Sequence, residues 1–189
     1  EVGANDFIEK KESKYLLQQA VDRHLRPTLI FRDMKVLVAV DEASMTRALV
    51  MDALGTLGVT VIRCETEECI FDRLLENPDG FDLILIDTEI KDSLCIDLVV
   101  KIRREHGQKD VPIIVFNEVG AAGDRIPLYK AGATDYIEKP FLFEDILTRV
   151  RQSLELQKLS KQRRSMIKEL ERSNQALKEF AYVAAHDLR

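Results

Sequence analysis

From Lys35 onward, short apolar runs alternate with amphipathic stretches. The strand candidates are 35–40 (KVLVAV), 59–64 (VTVIRC), 81–86 (FDLILI), 111–116 (VPIIVF) and 135–138 (DYIE). Helix candidates lie between them, near 44–56, 66–76, 94–106 and 123–131, with a last one from 143 onward. The clearest strands are continuous apolar runs rather than alternating ones, as expected for strands covered on both faces. Units of this size predict an α/β fold, a (βα)5 parallel sheet doubly wound with helices on both sides. Ligands of such sheets bind outside the carboxyl ends of the strands, where strand order reverses.

The polar residues at those ends define the candidate chemistry. Asp87 ends the run 81–86, Asp41 and Glu42 follow 35–40, Lys139 and Pro140 close 135–138, and Asn117 stands just past 111–116. Acids clustered at strand ends with a lysine opposite suit Mg²⁺ and a phosphoryl group. Asp87 is the candidate nucleophile. Mg²⁺ prefers oxygen ligands, keeps several waters, and is held by one or two carboxylates plus substrate oxygens. Asp41, Glu42 and Asp87 supply carboxylates, residue 89 a main-chain oxygen, and the Glu89 side chain a further acid beside the acceptor. Lys139 serves as a point charge for the acyl phosphate. Asn117 is expected to report the new charge.

The last helix does not stop where the sheet does. From Phe143 to about Ala185 there is no Gly or Pro, and the apolar spacing becomes a heptad. Its seam runs Leu156, Leu159, Arg163, Met166, Leu170, Ser173, Leu177, Phe180 and Ala184. The expectation is a coiled coil that pairs two copies of the chain, with Arg163 and Ser173 weakening it and fixing register. At the other end, Gly3-Ala-Asn-Asp-Phe-Ile-Glu-Lys10 matches Gly132-Ala-Thr-Asp-Tyr-Ile-Glu-Lys139 almost position for position. The physical reading is a tandem array of which only the final strand and helix of the first copy remain. The chain also begins without Met, and it is expected to be a piece of something longer.

The acid pair Asp41-Glu42, the acceptor Asp87 and the ending Lys139-Pro140-Phe141 together resemble a receiver domain of two-component signalling. The resemblance implies strand order 2-1-3-4-5, Asp87 as phosphoacceptor, Asp41 and Glu42 around Mg²⁺, Lys139 as phosphate partner and Tyr136 as the aromatic switch. Asn117 departs from the Ser or Thr usual there, and the loop after Asp87 lacks the usual Met-Pro and Asp-Gly. Near the end, Phe180-Ala-Tyr-Val-Ala-Ala-His186-Asp-Leu resembles the first dimerisation and phosphotransfer helix of histidine kinases, with His186 as its phosphoacceptor. In the heptad His186 falls at c, off the packed stripe.

Three segments follow: 1–32 as the remnant of a preceding receiver, 33–153 as the receiver, and 154–189 as a coiled-coil linker entering the phosphoacceptor helix. The expected setting is a hybrid sensor histidine kinase, although this chain carries no ATP-binding domain. Expected partners are a phosphodonor histidine kinase or phosphotransfer protein and a second copy through the C-terminal helix. The alternative is a pseudo-receiver that binds no phosphate and acts as a dimerisation scaffold. A small phosphatase is the weaker third reading, because Glu89 is a poor acid/base two residues after Asp87.

Composition changes this picture little. The 189 residues are 46% hydrophobic and 32% charged, globular values with some excess of charge. A net charge of −5 argues against nucleic acid as a partner. Cys64, Cys69 and Cys95 show no metal-ligand spacing and are read as reduced thiols of a cytoplasmic protein. No apolar run approaches the roughly 18–20 residues of a membrane helix, so no membrane contact is expected from this segment.

Overall fold

The computed structural model describes residues 30–187, apart from 43, 78–79, 91–93, 107, 109 and 119–124, with side chains to residue 179. The described residues to Leu154 form one compact unit and those from Glu155 a second.

In the first unit five parallel strands lie in the order 2-1-3-4-5. They are β1 (Lys35–Ala39), β2 (Thr60–Cys64), β3 (Leu83–Asp87), β4 (Ile113–Glu118) and β5 (Asp135–Lys139). Between them run α1 (Met45–Leu57), α2 (Glu67–Glu76), α3 (Cys95–Arg104) and α4 (Arg125–Ala131), and after them α5 (Phe143–Asp187). The doubly wound (βα)5 sheet expected from the sequence pattern and the flavodoxin-like strand order implied by the resemblance are therefore the observed ones.

Alternate residues of each strand serve opposite faces. Leu37, Ala39, Ile84, Ile86, Ile113 and Val115 pack against Ile70 and Leu74 of α2, Leu98 and Ile102 of α3, and Leu128 of α4. Val36, Val38, Leu83, Leu85, Ile114 and Phe116 pack against Val50 and Leu54 of α1 and Ile146 and Val150 of α5. Burying both faces is why the strands read as unbroken apolar runs. Phe31, within the segment assigned by sequence to a preceding copy, is buried in the second of these clusters. Residues 1–29, which carry the matching octapeptide, lie outside the described residues.

β3 and β4 each begin two residues after their sequence limits, and they end one and two residues later, respectively. Phe81 and Val111 are buried but precede the ladders. Apolar runs report burial, whereas a strand requires paired backbone. The ladder entry is marked instead by Asp82, whose N–H donates to the Lys35 carbonyl at 2.8 Å while its Oδ2 accepts from the Lys35 N–H at 2.8 Å.

Local chemistry sets the helix starts. Ser44 caps α1 by accepting from the Thr46 N–H, and Thr66 caps α2 by accepting from the Cys69 N–H. Gly132, in the turn before β5, has φ of +112° and an added Cβ would lie 2.9 Å from Cγ of Arg103. That guanidinium donates to the Gly132 carbonyl at 2.9 and 2.7 Å and to the Gln108 and Val111 carbonyls at 2.6 Å, joining the turn before β5 to the loop between α3 and β4. Gly132→Ala is expected to destabilise the receiver by about 2 kcal/mol, through backbone strain and displacement of Arg103. A urea titration should show a lower midpoint with an unchanged slope.

The second unit is the later part of α5. Leu156, Leu159, Met166, Leu170 and Leu177 are exposed there, on the predicted seam, and Ile167 adds to them. No described helix is long and apolar enough to cross a membrane.

Candidate functional site

The sheet brings the candidate residues to one edge by register. Ala39 pairs with Ile86, so Asp41 and Glu42 leave β1 beside the end of β3. Asp87 pairs with Phe116, and Glu118 pairs with Lys139. This corner includes the gap between β1 and β3, where the strand order reverses and such sheets hold their ligands.

Asp87 is 1% exposed. Its Oδ1 accepts from Nζ of Lys139 at 2.8 Å and from the Glu89 N–H at 3.2 Å. Its Oδ2 is buried and has no hydrogen-bond partner among the described residues. A buried carboxylate oxygen with no donor is energetically unfavourable and invites a cation or an electrophile. Lys139 is held by three acids, with Nζ also 2.8 Å from Glu89 Oε2 and 3.4 Å from Glu118 Oε1. Burial alone would lower the pKa of its ammonium, but the hydrogen bonds and charges of Asp87 and Glu89 outweigh that and leave it raised. The peptide bond from Lys139 to Pro140 is cis.

The other candidates fall as follows. Glu42 is largely exposed and lies 3.7 Å from Arg47, which also bonds Glu65 at 3.0 Å. Asp41 is half-buried, and its carbonyl accepts from the Ser44 N–H at 3.2 Å. Among the described residues no group of three acids, histidines or cysteines is close enough to enclose a metal. The four side chains named from sequence therefore do not converge as a cage. Mg²⁺ needs only one or two carboxylates with water completing its shell, and the open Asp87 Oδ2 beside the acid pair fits that demand.

Asn117 lies inside β4 rather than past it, and is 4% exposed. Tyr136 is half-buried, with its ring edge-on to Tyr129 at 5.8 Å between centroids. His186 falls within α5, but its side chain lies outside the described residues, as does most of the loop that follows Asn117. Sequence reasoning missed Glu118, because ending β4 at residue 116 hid its pairing with Lys139. It also missed Cys95, whose buried thiol faces the Asp87 charge and is pushed up to about 12, chiefly by burial. Cys95, Thr88, Asp97, Asn117, Glu118 and Leu128 are among the residues lining a cavity of about 480 Å³ at the same edge of the sheet.

A family model described as "Response regulator receiver domain" matches residues 36–151. Chemotaxis protein CheY1 of Helicobacter pylori J99 is 33% identical over 109 residues, covering 57% of this chain and 86% of that protein. Sensor histidine kinase CheAY of Helicobacter pylori 26695 is 28% identical over 123 residues, 65% of this chain but only 15% of that protein. Among solved structures, chemotaxis response regulator CheY4 of Vibrio cholerae superposes with a TM-score of 0.57 at 21% identity, covering 64% of this chain and 98% of that one. That likeness is one of fold; the family match spans more than half of the chain and includes every strand but the first residue of β1. The chain belongs to the response regulator receiver domain family of two-component phosphorelays.

Proposed function

We propose that this receiver accepts a phosphoryl group on Asp87 in an Mg²⁺-dependent reaction. The observation that carries the reading is the divided state of that carboxylate, with Oδ1 held by Lys139 and Oδ2 buried and open. Oδ2 attacks phosphorus, the bond from phosphorus to the donor group breaks, and the donor leaves with the electron pair. Lys139 is placed to pair with the phosphoryl oxygens, exchanging part of its hold on Glu89 and Glu118 for them. Bound Mg²⁺, held by Asp87 with Asp41 or Glu42 and the carbonyl of residue 89, would neutralise charge on the transferring group. Asn117 and Tyr136 are the proposed readout, with the Asn117 amide donating where a hydroxyl is usual.

The donor is a histidine kinase or phosphotransfer protein, and the parent is a cytoplasmic hybrid sensor kinase. The segments 1–32, 33–153 and 154–189 keep the roles assigned above. The exposed leucines of α5 support a homodimeric coiled coil. Because α5 carries both Ile146 and Val150 of the receiver core and, further on, His186, a change at Asp87 is proposed to bias the kinase helix.

A dimerising scaffold that takes no phosphate is the second reading, favoured by the exposed leucines along α5, which it also accounts for. Beryllofluoride with Mg²⁺ separates the two. The phosphoryl-acceptor reading predicts a bound fluorine NMR signal that requires Mg²⁺ and disappears in Asp87→Asn. No bound signal at millimolar mimic would leave the scaffold.

A further inference from the structure

Cys64 closes β2, and Cys69 lies in the first turn of α2. The Thr66 cap winds that turn so that the Cys69 thiol reaches Cys64, donating to its sulfur with Sγ atoms 2.9 Å apart. That separation is inside van der Waals contact, while a disulfide requires about 2.05 Å. Cys64 is 2% exposed and Cys69 is half-buried. Both are free thiols.

We propose that Cys64 and Cys69 form a reversible dithiol–disulfide modification site, oxidised by a small two-electron oxidant such as hydrogen peroxide. Burial, reinforced by the contact with Cys69, holds the Cys64 thiol well above its ordinary pKa. Cys69 is the more accessible sulfur and meets the oxidant first. Its Sγ gives up a proton and attacks one peroxide oxygen; the O–O bond breaks, hydroxide leaves and is protonated to water, and Cys69 becomes a sulfenic acid. Cys64 Sγ then attacks Cys69 Sγ. The S–O bond breaks, and the hydroxyl leaves as water with the Cys64 proton. Two thiols have lost two electrons, and one peroxide has become two waters.

The clasp would sit beside the acidic corner without being part of it. Glu65, the residue after Cys64, bonds Arg47 at 3.0 Å, and Arg47 reaches Glu42 at 3.7 Å. A disulfide therefore ties down the joint from which Arg47 is held.

The sequence makes the test direct. No Lys or Arg lies between Cys64 and Arg73, so trypsin leaves both cysteines in one peptide, 64–73. The full chain is treated with hydrogen peroxide, alkylated with iodoacetamide, digested and weighed. The expected peptide is unalkylated, lighter by two hydrogens, and fully alkylated after dithiothreitol. The same product is expected in Cys95→Ser, is absent in Cys69→Ser, and forms more slowly when the chain is unfolded in urea. Doubly alkylated peptide after peroxide, sulfinic acid as the only product, an interchain disulfide, or equal rates in urea would each overturn the proposal.

Discussion

Asp87→Asn is expected to reduce phosphoryl labelling from acetyl phosphate with Mg²⁺ to background, while leaving a folded receiver. The amide nitrogen is not a nucleophile comparable to a carboxylate, and among the described residues no other acid at this corner is both buried and open. Asp41 is half-buried, and Glu42, Glu89 and Glu118 are largely exposed, the last two engaged with Lys139. The fold survives because the amide oxygen can still accept from Lys139 and from the Glu89 N–H, the contacts that Oδ1 makes now. Exchanging a charge-assisted bond for a neutral one should change stability by about 1 kcal/mol, read from the urea midpoint. Labelling that persists in this variant would move the acceptor elsewhere. In the proposed parent kinase, the same substitution should change histidine phosphorylation. An unchanged output under every donor condition would end the proposed coupling through α5.

Lys139→Met should have the largest effect on stability. Lys139 is the one cation bonded to Asp87 among the described contacts, and the side chains are 11% and 1% exposed. Methionine fills most of the volume but leaves a buried carboxylate without its partner, a change that typically destabilises by about 3 kcal/mol. The contacts to Glu89 and Glu118, which are largely exposed, add little. The pH dependence has a defined sign. The Lys139 pKa is raised in the folded state, so its contribution is fully present below the unfolded value of about 10.4 and is lost as pH rises through the folded value. Wild type and variant should therefore differ at pH 7.5 and converge at strongly alkaline pH. Mg²⁺ should stabilise the variant more than wild type, because a cation at the corner relieves the stranded acid. A difference below about 0.5 kcal/mol at pH 7.5 would show that the pair is dispensable.

The parts of this molecule that burial dictates were legible from sequence. Runs such as Leu83-Ile-Leu-Ile86 announce strands covered on both sides, and strand ends locate Asp87, Asp41 and Lys139. Pairing was less legible. Phe81 and Val111 are as buried as strand residues yet precede the ladder, and Asn117 and Glu118 are polar yet continue it. An apolar run therefore misplaced β4 by two residues, and with it the third acid at Lys139. The proximity of Cys64 to Cys69 was hidden for a related reason. A separation of five residues has no fixed meaning until the Thr66 cap sets the first turn of α2. The Gly132 that opens the repeated octapeptide had a backbone reason that only φ and Arg103 reveal.

The most direct measurement of the central claim is the site of phosphorylation itself. The chain is incubated with acetyl phosphate and Mg²⁺, quenched, reduced with borohydride and digested with trypsin. The expected product is conversion of Asp87 to homoserine within peptide 74–91, dependent on Mg²⁺ and absent without phosphodonor. Conversion at Asp79 or Asp82 in that peptide, or none anywhere in the chain under conditions that label another receiver, would contradict the account.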